Sequence, residues 1–346
     1  MESFRLIDCH FHWRPRSVFE EMCKRTGFPR AERNGKGGYT YWLREGNVND
    51  IGPEWFDLDR QLAHMDSTGR EIDVVCSAGT TSDHFCELPA SEGRDAAHSW
   101  NEEMAGAQSG YPGRVWATAA VPLQDTGMAL EVLEHATGNL GLVGVNLPGS
   151  VGRENIDAAR LEPFYDRVEQ LGVPLMLHPA DAAFHHVLDG YDGALYLSLG
   201  RVIDVSVSAF RLVLSGIMER HPGLKVFTSH IGGALPYQAG RMDKNSKAAK
   251  LKKSPSTYLR RMYTDTVSPH AMGLKFAIDF YGAEQVMYGT DYPCWDPKAA
   301  LQVLEEVVLS KEDKLKVLRD NARRFFGLRD AVPHEQETRR RTAAAS

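Results

Sequence analysis

Three features are scarce in this sequence, and each scarcity removes a class of function. The five cysteines, Cys9, Cys23, Cys76, Cys86 and Cys294, are odd in number and widely spread, with no CxxC pair to suggest a structural zinc site or a redox couple. A reducing compartment, the cytoplasm, is the simplest setting for such cysteine usage. No stretch approaches the ~20 consecutive apolar residues of a membrane span, and MESFRLIDCHFHW lacks the basic and then apolar pattern of a secretory signal. Positive charge is also not concentrated. The 40 Lys and Arg against 46 Asp and Glu give a net charge of −6, and the basic residues are scattered rather than gathered into a stripe, so neither a nucleic acid nor a membrane is expected as partner.

What is present is an ordinary globular composition, 42% hydrophobic and 25% charged over 346 residues, enough for one large core. Short apolar runs alternate with segments of helical period, the pattern of a parallel sheet with helices between its strands. Eight runs read as strands: Phe4 to Cys9, Asp73 to Ser77, Val115 to Ala120, Leu142 to Asn146, Pro174 to Leu177, Lys225 to Ser229, Met262 to Asp265 and Gln285 to Tyr288. Between them, Leu58 to Thr68, Thr126 to Ala136, Leu161 to Leu171, Val205 to Arg220 and Pro297 to Leu309 carry apolar residues at three- and four-residue spacing. Eight such strands predict a (β/α)8 barrel, α/β in class, formed as a single domain over residues 1–330. The polar and then alanine-rich ETRRRTAAAS has nothing to bury, so 331–346 is expected to be a disordered tail. Two segments exceed a minimal barrel, Arg14 to Trp55 and Ala180 to Ile203. Both leave the C-terminal end of a strand, where barrel active sites are assembled, and are expected to act as substrate-binding lids.

The chemistry-bearing residues sit at those same strand ends. The first strand closes in Asp8-Cys9-His10-Phe11-His12, whose two imidazoles, two residues apart, point to one side of an extended backbone. His178 follows the fifth strand in Leu177-His178-Pro179. His230 follows the sixth and precedes Gly232-Gly233, and Asp291 follows the last in Tyr288-Gly289-Thr290-Asp291-Tyr292-Pro293. A lone histidine after a strand is usually a hydrogen-bonded turn residue. Five such groups at four strand ends instead describe a site of imidazoles and one carboxylate that holds a divalent ion with positions left open.

At this point the sequence resembles the amidohydrolase-related family that includes 2-amino-3-carboxymuconate-6-semialdehyde decarboxylase. The matching segments are IDCHFHW, GVNLPGS, LEPFYDRVEQLGVPLMLHP, VFTSHIGGALPYQAGRMD, YTDT, MYGTDYP and DNARRFFGL, in order over nearly the whole chain. The resemblance implies an amidohydrolase-superfamily barrel in which His10, His12, His178 and Asp291 bind one divalent metal; a site of three imidazoles and one carboxylate with open positions accepts zinc or manganese, and zinc is expected. It further implies His230 as an acid or base beside the metal, with Asp291 sharing a proton, and a homodimer. Binuclear relatives add a lysine at the end of the fourth strand. Val143 to Pro148 has none, so a single metal is expected.

The implied activity is nonoxidative decarboxylation of an aromatic or unsaturated cyclic or ring-fission carboxylic acid. The alternative is hydrolysis of a lactone, an amide or a carbon–carbon bond at the same site, and a noncatalytic scaffold is a third and weaker reading. A substrate carboxylate calls for a cation, for which Arg44 and Arg201 are candidates, with Arg241 a further one. Trp13, Trp42, Trp55, Phe184, His185, His186 and Trp295 give the two excursions an aromatic and imidazole lining suited to a flat acid. Trp13 and Trp295 are the candidates closest in sequence to the expected ligands.

Overall fold

The computed structural model describes residues 4–45, 48–180, 185–188 and 190–328. All eight expected strands form and pair in parallel, in chain order, as one sheet. They are β1 (Leu6–Phe11), β2 (Ile72–Cys76), β3 (Val115–Ala119), β4 (Gly144–Pro148), β5 (Leu175–His178), β6 (Val226–Thr228), β7 (Tyr263–Asp265) and β8 (Val286–Met287). The sheet closes on itself through the backbone. Cys9 N donates to Tyr288 O at 2.9 Å, Asp291 N to His10 O at 2.7 Å and His12 N to Tyr292 O at 2.9 Å. Closure leaves no open edge, and the strands bury both faces, which is why they read as continuous apolar runs.

Helices fill the crossovers, and several begin where an acidic cap stands in the sequence. Asp57 accepts from Arg60 N at 3.0 Å ahead of Leu58–Asp66, Asp125 from Met128 N at 2.9 Å ahead of Thr126–Glu134, and Asp296 from Lys298 N at 2.8 Å ahead of Pro297–Glu306. The helix expected over Val205 to Arg220 is two helices, Arg201–Leu214 and Ile217–Arg220, separated at Gly216, whose φ of 80° ends the first one. The longest helix, Ala90–Gly110, is absent from the sequence reading. Its buried face carries Gly93, Ala97 and the polar Asn101 beside Trp100 and Met104, so its apolar stripe is faint.

The core lies mainly between the sheet and the helices. A second, smaller cluster is made of strand residues Ile7, Cys9, Val75, Met176, Phe227 and Met287, and the final helix Asn321–Phe326 covers it with Phe325 and Phe326. The first excursion is a small folded unit. It carries the helix Arg16–Met22 and a three-stranded antiparallel sheet (Arg30–Arg33, Tyr39–Trp42, Asn49–Ile51), packed around Phe19, Tyr39, Tyr41 and Phe56. The second excursion has only short helical turns over its described part. The stretch 331–346, expected as a disordered tail, lies outside the described residues, as does Phe184. No described helix is long and apolar enough to cross a membrane.

Candidate metal centre and active site

His10, His12, His178 and Asp291 converge at the C-terminal end of the barrel. All four are buried, and one ligating atom from each lies within 4.8 Å of the others. The strands dictate this convergence. β1 delivers His10 and His12, β5 ends on His178, and the turn after β8 presents Asp291. Pairing of β1 with β2 slips between Asp8 and Phe11, and such an irregularity re-aims side chains: Ile7 and Cys9 join the lower apolar cluster while His10 and His12 face the ligand group.

Each imidazole is oriented through its Nδ1. His10 Nδ1 pairs with Asp265 Oδ2 at 2.7 Å, His12 Nδ1 with Ser77 O at 3.2 Å, and His178 Nδ1 with Pro179 O at 3.3 Å. A carboxylate or carbonyl on one ring nitrogen fixes the tautomer and leaves the other nitrogen free to bind a metal. The free nitrogens behave accordingly. Nε2 of His10 and of His178 is buried without a hydrogen-bond partner, while Asp291 Oδ1 stands 3.3 Å from His10 Nε2 and 2.9 Å from His12 Nε2. Orphaned buried nitrogens facing one carboxylate are the donor set of a divalent cation, so the residues fit such an ion.

The electrostatics agree. Burial alone would lower the His10 pKa, but Asp291 and Asp265 outweigh it and push it up to about 10. Burial likewise works to raise Asp291, yet the adjacent His10, His12 and His230 imidazoles hold it well below the usual carboxylate range. Burial lowers His12 and, further, His178, whose positively charged neighbours add to the effect. The group thus favours one positive charge at its centre, the charge that a divalent cation would supply.

His230 sits beside this group. Its Nε2 is 3.4 Å from Asp291 Oδ2, and its ring centroid is 5.3 Å from that of His10 and 5.5 Å from that of His178. His230, Ile231 and Asp291 all adopt left-handed backbone, with φ of 56°, 51° and 57°. Such conformations in non-glycine residues store strain and cluster at functional sites. Asp265 holds this turn by accepting from His230 N at 2.9 Å and Ile231 N at 2.8 Å. One carboxylate therefore positions both His10 and His230, a role that the sequence reading did not assign although Asp265 stands in the YTDT segment at a strand end. Gly79 is needed next to His12, since a Cβ there would lie 2.6 Å from the imidazole Cε1. On β4, where binuclear relatives place a lysine, Asn146 is buried. Its amide donates to Ala119 O at 2.8 Å and accepts from Thr118 Oγ1 at 3.1 Å, so it is committed to the sheet.

A cavity of about 1200 Å³ opens over the group, lined by His12, His178, His230 and Asp291 together with residues of both excursions. Of the substrate-binding candidates, Arg201 and Trp295 line it, as does Trp55, whose ring stacks on His12 at 6.0 Å. Arg44 does not. Its guanidinium is turned to Glu87 at 3.3 Å and Asp83 at 3.7 Å. Arg241 is exposed on a helix, Trp42 carries Arg30 at 4.0 Å over its ring, and Trp13 Nε1 donates to Phe56 O at 3.2 Å; none of the three lines the cavity. The side chains of His185 and His186 lie outside what is described. The excursion instead contributes Arg14, two residues after His12.

Known proteins share this plan. The chain is similar to gamma-resorcylate decarboxylase of Rhizobium sp. (strain MTP-10005), 30% identical over 250 residues that span 68% of this chain and 76% of the relative. It is also similar to 2-amino-3-carboxymuconate-6-semialdehyde decarboxylase of Dictyostelium discoideum, 25% identical over 289 residues, 81% of this chain and 79% of that one. Among solved structures, 2,6-dihydroxybenzoate decarboxylase from Rhizobium superposes with a TM-score of 0.75 at 25% identity, covering 94% of this chain and 99% of the other. The model of the amidohydrolase family matches residues 7–328, and with these relatives it establishes that the chain belongs to the amidohydrolase family.

Proposed function

We propose that the chain is a metal-dependent nonoxidative decarboxylase, a carbon–carbon lyase acting on an aromatic or unsaturated cyclic carboxylic acid. The observation that carries this reading is the pairing of a buried His10–His12–His178–Asp291 group with a separate imidazole, His230, 3.4 Å from its carboxylate, in a chain related to decarboxylases. His10, His12, His178 and Asp291 would hold a single divalent ion. Zinc is favoured by three imidazole donors, with manganese the alternative. Such an ion supplies positive charge against the oxygens of a bound acid.

The remaining chemistry belongs to the chain. Loss of carbon dioxide breaks the bond between ring carbon and carboxylate and leaves the electron pair on the ring carbon, which must gain a proton. His230 is the group placed to hold and deliver it, with Asp291 Oδ2 fixing the imidazole and accepting a share of the proton. Trp55 and Trp295 give flat apolar surface to a planar substrate and exclude water from the reacting carbon. The working unit is the single barrel over 1–330 with its two excursions, in the cytoplasm and as a homodimer.

The test is carbon dioxide release by the metal-loaded protein across hydroxy- and amino-substituted aromatic acids and muconate semialdehydes, with mass-spectrometric detection of products. Metal-dependent loss of carbon dioxide is expected. Products that gain water would replace the reading with hydrolysis at the same site, and a protein that binds no metal would replace it with a noncatalytic barrel.

A further inference from the structure

Arg14 is a buried cation beside the site, and among the described residues no carboxylate is paired with it. The residue is 2% exposed, and its three contacts are neutral: Nη1 donates to the Tyr41 hydroxyl at 3.2 Å, Nη2 to the Thr80 hydroxyl at 3.2 Å, and Cζ lies 4.1 Å from the centre of the Trp55 ring. Nε is buried without a hydrogen-bond partner. Among the described residues no carboxylate pairs with it, whereas less buried arginines do find one: Arg44 reaches Glu87, Arg211 reaches Asp157 and Arg220 reaches Glu162. A guanidinium taken out of water without a counter-charge is strongly disfavoured, and stacking on an indole returns only part of that cost. Arg14 lines the same cavity as His12, His178, His230 and Asp291, so an anionic ligand entering that cavity would supply the missing charge.

Which anion it meets follows from the chemistry. The carboxylate that leaves becomes neutral carbon dioxide, so a guanidinium bound to it would hold the ground state more tightly than the transition state and slow the reaction. A carboxylate that stays on the ring keeps its charge throughout, and binding it lowers KM at no expense to kcat. Trp55 touches both His12 and Arg14, which places the ligand group and the guanidinium against one indole, within reach of a single substituted benzene ring. The geometry points to Arg14 as the specificity residue for a second, unreacting carboxylate, and hence to an aromatic dicarboxylate as substrate. This rests on the decarboxylase reading for the reaction, and on the unpaired guanidinium alone for the residue and the charge it takes.

The experiment is calorimetric binding of isophthalate, its monomethyl ester and benzoate to the metal-loaded wild type, Arg14→Met and Arg14→Lys. None of these probes carries the ring hydroxyl or amino group that assists loss of carbon dioxide. The wild type is expected to prefer isophthalate over the monoester by about thirtyfold, Arg14→Met to show almost no preference, and Arg14→Lys, which keeps the charge but not the fork, to retain about a third of it. Metal content of Arg14→Met should match the wild type and its melting temperature should be no lower, since the change removes an unpaired buried charge. In turnover of 4-hydroxyisophthalate the same variant should raise KM with little change in kcat. Equal preference in wild type and Arg14→Met would overturn the assignment. So would an Arg14→Met protein that melts early alongside an Arg14→Lys protein that folds but shows no preference. Charge-dependent binding without carbon dioxide release from any acid would sink the decarboxylase reading and leave Arg14 standing. Turnover of mono- and dicarboxylates with equal KM would do the reverse.

Discussion

The same eight strands make two very different environments at their two ends. Below the strand ends lies a buried apolar cluster, Ile7, Cys9, Val75, Met176, Phe227 and Met287, closed by Phe325 and Phe326 of the final helix. At the strand ends, one to four residues further along the same strands, stand His10, His12, His178 and Asp291, where Nε2 of His10 and of His178 is buried without a hydrogen-bond partner. Phe227 marks the boundary, its ring 6.0 Å from that of His10. One barrel thereby separates stability from chemistry. Apolar side chains at one end fix the strands, and that rigidity holds buried polar atoms at the other end in an arrangement they would not choose unaided.

This division can be broken from either end. The largest effect is expected from Asp291→Ala or His178→Ala, which should empty the metal site and abolish nearly all turnover while the barrel still folds; metal analysis by mass spectrometry checks it, and full metal in both variants would refute the ligand assignment. His230→Ala should keep its metal and lose about 10²–10⁴-fold in kcat, read by steady-state kinetics beside metal content. At the other end, Phe325→Ala should cost about 3–5 kcal/mol of stability by denaturant titration, with metal content and kcat per folded molecule unchanged. The smallest effect sharpens the boundary itself. Asp265→Asn, which loosens both His10 and the His230 turn without touching the ion, should weaken metal affinity by about 10–100-fold in a chelator competition.

How much of this is legible in sequence follows the same division. The barrel strands are legible because burial on both faces writes each as a short apolar run, and the histidines and Asp291 are legible because they end those runs. Asp265 is harder to read, since it acts through His10 and through backbone amides of the His230 turn, contacts that no local pattern reveals. Helix 90–110 is faint because Gly93, Ala97 and Asn101 leave only Trp100 and Met104 as large apolar residues on its inner face. Arg44 illustrates the limit of spacing arguments. Only the fold brings Asp83 and Glu87 to it, and only the fold shows that Arg14, at the base of the same excursion, joins Arg201 in lining the cavity.

The most direct test of the account is a titration of the metal-free protein with zinc and, separately, manganese, following bound metal and carbon dioxide release together in the presence of a substrate found in the acid panel. The account predicts that activity is absent without metal and rises in proportion to bound ion, reaching its plateau at about one ion per chain. Activity that survives complete metal removal, or that appears only as a second ion binds, would contradict it.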